Sequence, residues 1–330
     1  MTIPSAGLGR PGTTTTALGF GCSGIVGLNT RSESLGLLSA ALELGIRHFD
    51  VARSYGSGDA EAILGDFLTT TNEPCTVTSK CGISPAATYG LAGRRTKALA
   101  RAALRRAPGP YGVVRSWATA SVHGGQFAPE QIRRSLQTSL RALRRDRLEA
   151  FLLHECTPEE WASGSVQEVL SDLVGSGAIG CAGPATSVGA TLEILGRESL
   201  AVPLVQFHDD GDMFGAEVIG LARCRGTTTI THGVLDRNLR ALRAHLAGAS
   251  EPALREWSGR LDGEVTDANV LAALLLRRAM ARNRGGVVLF RTNDAGHLRS
   301  TVEAAKTDIA DDQLQALEEL IAQASVSPQA

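Results

Sequence analysis

Short apolar runs alternate with helical stretches from end to end of the 330-residue chain. The first run covers residues 17–21. Behind it, Leu35, Leu38, Ala41 and Leu42 recur at the spacing of one helix face. Thr30-Arg31-Ser32-Glu33 opens that helix as a capping box, and Gly45 suits its stop. Residues 46–50 read as a second strand. A short helix over 59–68 follows, with Ile63, Leu64 and Phe67 on one face, and residues 76–80 read as a third strand. After an irregular stretch over 84–127, Pro129 suits the first turn of a helix striped by Ile132, Leu136, Leu140 and Leu143. Five more strands are expected at 148–154, 179–183, 204–207, 227–231 and 287–290, with helices near 165–174 and 311–322 among those that follow them. Eight strands, each followed by helix, is the count of an α/β fold of the (β/α)8 barrel type. No linker or composition shift divides the chain, so residues 1–330 are expected to form one barrel domain.

Composition narrows the class. Hydrophobic residues make up 43% of the chain and mean hydropathy is close to zero, which fits a globular protein and excludes a disordered or fibrous one. With 33 basic and 34 acidic side chains the net charge is -1, so there is no global attraction to nucleic acid or an anionic membrane. The longest apolar runs, such as 270–276, fall far short of the ~20 residues a bilayer span needs. Residues 1–12 lack the basic and apolar regions of a secretory signal. The six cysteines, Cys22, Cys75, Cys81, Cys156, Cys181 and Cys224, include no C-x-x-C pair. They read as reduced thiols of a cytoplasmic protein.

One segment departs from this neutrality. Residues 84–127 carry Arg94, Arg95, Lys97, Arg101, Arg105, Arg106 and Arg115 and no acidic residue. The stretch is also too long for an ordinary βα connection. A solvated helix near 96–106 is one reading. A lid over the barrel mouth that attracts an anionic cofactor or substrate is the other. Gly19-Phe20-Gly21-Cys22-Ser23-Gly24 is formally a G-x-G-x-x-G. In a dinucleotide-binding Rossmann unit the helix opens at the end of that loop, whereas here the best N-cap, Thr30, lies well beyond Gly24. Glycines at the top of a first barrel strand, leaving room for a ligand, explain the run better.

In a (β/α)8 barrel the strand ends and the loops after them form the active face. Asp50 closes the second strand, Tyr55 lies in the loop beyond it, Lys80 closes the third and His154 the fourth. Singly these are a turn cap, a loop anchor, a surface charge and a core histidine. Together they match one chemistry. A carbonyl that accepts hydride must also receive a proton, and a phenol is a poor donor at neutral pH. A neighbouring ammonium is expected to lower the phenol's pKa toward the working range. A carboxylate can hold that ammonium, and a neutral imidazole can polarise the carbonyl.

These residues resemble the aldo-keto reductase family. The resemblance is carried by Gly45-Ile46-Arg47-His48-Phe49-Asp50-Val51-Ala52-Arg53-Ser54-Tyr55-Gly56-Ser57-Gly58 with Glu61 and Gly65, by Thr78-Ser79-Lys80-Cys81-Gly82, and by Ser139 to Leu143 through His154. It implies a catalytic tetrad of Asp50, Tyr55, Lys80 and His154. It also implies a barrel that binds NADPH or NADP+ without a Rossmann domain and interconverts a small carbonyl compound and its alcohol. Gly21 and Cys22 fall at the cofactor end of the first strand. Thr186 and Gln206 fall where the family holds the nicotinamide carboxamide, although Ala185 replaces the usual serine. Arg291, Thr292 and His297 resemble the adenosine-phosphate segment, with Ser300-Thr301 in place of the usual Glu-Asn. The family's Ser-Pro-Leu after the seventh strand is missing and Ile230-Thr231-His232-Gly233-Val234-Leu235 stands instead, which leaves the nicotinamide-stacking residue unassigned.

Two other readings compete. His154, His208 and His232, with Asp209 and Asp210 nearby, offer ligands for a metal-dependent hydrolase, though no H-x-H sits on the first strand. The losses in the second half fit a nucleotide-binding barrel of weak activity that serves as a sensor or partner subunit. Substrate choice is expected to lie in the loops at 84–127, with Trp117 and Phe127 as candidate apolar lining, and at 235–267. The arginines favour a sugar phosphate or a carboxylate-bearing carbonyl.

Overall fold

A computed structural model describes residues 2–26, 29–84 and 125–326 of the chain. Its barrel strands are β3 (Leu18–Gly21), β4 (His48–Asp50), β5 (Thr76–Cys81), β6 (Leu148–His154), β7 (Ile179–Ala185), β8 (Leu204–His208), β9 (Thr228–His232) and β10 (Val287–Phe290). They are all parallel, and β10 pairs with β3 to close the ring. The expected (β/α)8 barrel is thus the observed fold. Strand boundaries move by one or two residues; β7, for instance, runs on to Ala185.

Each strand alternates between two environments, as a period of two requires. Ala150, Leu152, Leu204, Ile230, Val287 and Leu289 belong to the cluster inside the barrel. Their neighbours Phe151, Leu153, Val205, Phe207, Val288 and Phe290 belong to the cluster between barrel and helices. Continued toward the strand ends, the inward register reaches Asp50, Lys80, His154 and Gln206. The chemistry therefore sits where the barrel's own packing runs out.

The helices are α1 (Arg31–Glu43), α2 (Asp59–Leu68), α3 (Pro129–Leu143), α4 (Pro158–Ala162), α5 (Gly164–Gly175), α6 (Val188–Gly196), α7 (Met213–Cys224), α8 (Asp236–Ala247), α9 (Glu251–Arg260), α10 (Ala268–Arg282), α11 (Ala295–Ala305) and α12 (Asp311–Val326). The capping box of α1 is present. Thr30 N–H donates to Glu33 Oε2 at 2.6 Å and Glu33 N–H to Thr30 Oγ1 at 3.2 Å. The stretch 235–267 is largely helical. Leu242 and Leu246 of α8 and Trp257 of α9 pack with Leu271 and Leu275 of α10 and Leu317 and Leu320 of α12 in a second core.

An antiparallel hairpin, β1 (Ser5–Leu8) and β2 (Arg10–Thr16), precedes the barrel. Gly7 N–H donates to Gly285 C=O at 3.1 Å, Gly9 N–H to Thr228 Oγ1 at 3.2 Å, and the Thr15 and Thr76 hydroxyls meet at 2.7 Å. These partners stand just before or at the start of β10, β9 and β5, so the hairpin covers the end of the barrel opposite the site. Of the 84–127 stretch, residues 85–124 lie outside the described residues, and with them Trp117, the basic run and the helix expected near 96–106. At its far end Phe127 is buried.

Candidate active site

Asp50, Lys80 and Tyr55 form one hydrogen-bonded unit. Lys80 Nζ donates to Asp50 Oδ1 at 2.7 Å, to Val51 C=O at 3.2 Å and to Tyr55 Oη at 3.2 Å. Lys80 and Asp50 are each only 2% exposed, so the ion pair is desolvated and its three acceptors fix the ammonium in place. Tyr55 opens a short 3-10 turn, Tyr55–Gly58, that leads into α2. His154 meets it edge to face, with ring centroids 6.2 Å apart. The structure brings all four expected residues together.

Burial works against the charge on Lys80. The Asp50 carboxylate and the Tyr55 oxygen more than offset it and leave the ammonium above the usual lysine range. Burial raises the Asp50 carboxyl, opposed by Lys80 and the Gln206 amide. Burial also raises the Tyr55 phenol, and Lys80 opposes it without winning. The expectation that the ammonium would bring this phenol below its ordinary value is thus not met, because desolvation of the phenolate outweighs a single hydrogen-bonded cation. His154 is lowered to about 3, by burial first and then by Lys80 and His232. It is a neutral imidazole at physiological pH.

A cavity of about 680 Å³ opens over this unit and runs toward the last helices. Gly21, Asp50, Tyr55, Gln206 and His232 line one part of it; Arg291, Thr292 and His297 line another. Gly21 leaves space there, since an added Cβ would stand 3.3 Å from Phe290 C=O. Gln206 Nε2 donates to Asp50 Oδ2 at 3.1 Å. Its Oε1 is buried and lacks a hydrogen-bond partner among the described residues. An acceptor held in this way costs free energy until a donor arrives. The N–H of a ligand's carboxamide is such a donor, so the residues present fit a nicotinamide.

Two expected cofactor residues take other roles. The Cys22 side chain is fully buried in the core between barrel and helices. Thr186 donates its hydroxyl proton to Cys156 C=O at 2.9 Å, and neither residue lines the cavity. Arg291 faces Asp236 Oδ2 at 3.8 Å. Sequence reasoning missed Asp236, Leu239 and Arg243 as cavity residues. Their spacing on one face of α8 was the available signal. The His208 and His232 rings meet at 5.2 Å, and His208 pairs with Asp210 at 3.2 Å. Among the described residues no three His, Cys, Asp or Glu side chains are placed to hold a metal ion. No helix among them is long and apolar enough to cross a membrane.

Comparison with known proteins places this geometry in context. A family model, Aldo/keto reductase family, matches residues 17–206. A pyridoxal 4-dehydrogenase from Microbacterium luteolum is 42% identical over 78 residues, which is 23% of this chain and 23% of that protein. The match therefore spans about a quarter of the relative's length. An aldo-keto reductase from Bacillus halodurans, solved in its holo form, superposes with a TM-score of 0.68 at 17% identity, covering 96% of each chain. A glycerol dehydrogenase from Gluconobacter oxydans gives 0.69 at 16% identity, covering 99% of this chain and 97% of that one. At these identities the structural likeness speaks to fold.

Proposed function

The chain belongs to the aldo/keto reductase family, and from that premise we propose that it is an NADP(H)-dependent oxidoreductase that reduces an aldehyde or ketone to an alcohol, or runs the reverse. The observation that carries this reading is the Lys80 ammonium held between Asp50 and Tyr55, both of which line a cavity of about 680 Å³. A nicotinamide cofactor bound there would supply or take up the hydride. The Tyr55 hydroxyl, kept protonated by burial, gives its proton to the carbonyl oxygen in the reducing direction. Lys80, whose Nζ lies 3.2 Å from Tyr55 Oη, stabilises the phenolate left behind, and Asp50 and Val51 C=O hold Lys80. His154, neutral, hydrogen-bonds and polarises the carbonyl. Gln206 Oε1, buried and without a partner among the described residues, would accept from the nicotinamide carboxamide. Arg291, Thr292 and His297 hold the phosphate-bearing adenosine end, where a guanidinium favours NADP.

The substrate is a small carbonyl compound. Pyridoxal heads the panel to be assayed, because of the Microbacterium luteolum relative, followed by anionic carbonyls suited to the basic 84–127 stretch. We assign the protein to the cytoplasm, on its six unpaired thiols. Calorimetric titration with NADPH and with NADH at fixed salt tests the reading. Micromolar NADPH binding and much weaker NADH binding are expected. Absence of binding by either nucleotide overturns the redox assignment.

A further inference from the structure

Thr186, a cofactor residue by its place in the sequence, follows β7 and does not line the cavity. It is buried and bonds in two directions. Its N–H donates to Gln206 C=O at 3.1 Å, and its hydroxyl donates to Cys156 C=O at 2.9 Å. The second bond reaches the turn after β6, just beyond His154. That turn holds a strained residue. Glu155 has a φ of 58°, a left-handed backbone that disfavours any residue with a Cβ. Among the described residues its carboxylate has no hydrogen-bond or ion-pair partner. Nothing in its own side chain offsets the strain, so its neighbours impose the conformation. On one side, His154 pairs with Ala185 in the β6–β7 ladder, and Glu155 N–H donates to Ala185 C=O at 2.7 Å. On the other, Cys156 is 1% exposed in the core between barrel and helices, and Thr186 holds its C=O. Thr157 then opens α4 with a capping box, its N–H on Glu160 Oε2 at 2.8 Å and Glu160 N–H on its Oγ1 at 3.2 Å. The turn between these anchors leaves His154 as the last residue of β6, its ring edge to face with Tyr55.

We infer that Thr186 is a positioning residue for His154: by holding Cys156 C=O, its hydroxyl keeps Glu155 left-handed and so fixes the imidazole beside Tyr55, where it meets the substrate carbonyl. This rests on the redox reading above and adds to it a residue outside the cavity. Without the hydroxyl, Glu155 relaxes toward negative φ, and its N–H leaves Ala185 C=O. The strand end that aims the His154 ring then loses its last bond to β7. A displacement of about 1 Å at a reacting group costs up to about 10²-fold in rate.

The test uses the full chain with NADPH and two carbonyl probes, pyridoxal and 4-nitrobenzaldehyde. Thr186→Val keeps the branched shape and removes the donor. It is expected to lower the turnover number about tenfold and to leave NADPH affinity, measured by calorimetry, within about twofold. Thr186→Ser keeps the donor and is expected to recover most of the loss. Glycine takes positive φ without strain, so the same Thr186→Val change is expected to cost less than about threefold in a Glu155→Gly background. A merely structural threonine would lower the melting temperature in both backgrounds without this interdependence of turnover. Exchange of the Glu155 amide, followed by NMR, needs no substrate: Thr186→Val should speed it about tenfold and leave the Leu152 amide of β6 unchanged. Undiminished turnover in Thr186→Val, equal losses in both backgrounds, or unchanged exchange at Glu155 each overturns the inference. A loss of NADPH affinity in step with turnover also overturns it, because Thr186 would then hold the cofactor. If the wild-type protein neither binds NADPH nor reduces either probe, the redox reading itself falls, and the inference with it.

Discussion

Tyr55 carries the sharpest consequence at the scale of single residues. Its phenol is raised by burial against the pull of Lys80, so it enters the reducing reaction as the acid. Removing the hydroxyl leaves the ring, the 3-10 turn and the cavity walls in place. Tyr55→Phe is therefore expected to lower the turnover number for carbonyl reduction by about 10²–10⁴-fold, the usual scale of general acid catalysis. NADPH affinity should stay within about twofold. A variant that keeps its turnover would move the proton donor elsewhere, and His154 would be the next residue to replace. The grouping of Asp50, Tyr55, Lys80 and His154 was legible in the sequence because three of them stand at or next to strand ends and the fourth follows one. Cys22 was not. It directly follows β3, but the chain turns there into a 3-10 segment, Cys22–Gly24, which directs its side chain into the core. Arg243 was missed because no strand end marks it; only helical spacing within a stretch taken as a connection does.

Among elements, the contact of α2 with α3 shows why one glycine of the family-like motif is present. A Cβ on Gly65 would run into Ala142 C=O and stand 2.9 Å from the Leu143 backbone. The obstacle is main chain, so one helix must shift. Overpacking of this kind costs about 1–3 kcal/mol, while the better helix propensity of alanine returns at most about 1 kcal/mol. Gly65→Ala should therefore destabilise the protein, by about 1–2 kcal/mol in denaturant titration. Gly36 in α1 has nothing within 4 Å of an added Cβ, so Gly36→Ala should be neutral or stabilising by up to about 1 kcal/mol. If both changes stabilised the protein, propensity and not contact would decide at both positions. Most barrel strands were readable because they are short apolar runs between helix signals; β5 and β9 are the more polar exceptions. The hairpin was not, because Arg10–Thr16 is polar and threonine-rich and gains its place from partners at the starts of other strands.

For the molecule as a whole, closing the barrel puts three imidazoles where they cannot easily be charged. His48, His154 and His232 are each lowered to about 3, with burial the largest cause in all three and Lys80 a further one. His48 is the cleanest of them. It is fully buried, and its Nδ1 lies 3.0 Å from Thr76 Oγ1. In the unfolded chain such a histidine takes up a proton near pH 6.5; in the folded barrel it does so only near pH 3. Between those values the unfolded state binds more protons, so stability is fully present above pH 6.5 and is lost as pH falls toward 3. The raised carboxyls Asp50 and Glu61 act with the opposite sign, so a wild-type curve alone mixes the two effects. Comparison with His48→Gln isolates one proton, since glutamine is neutral at every pH and can still bond Thr76. The wild type should lose about 1.4 kcal/mol more than the variant for each pH unit between 6 and 4. Parallel curves would show that His48 is protonated as readily inside the barrel as in the unfolded chain. His154, lowered to about 3 by burial and by Lys80 and His232, stays neutral in the folded barrel over the same range, so an acid limb of the activity profile above pH 4 is expected to have another origin than protonation of His154.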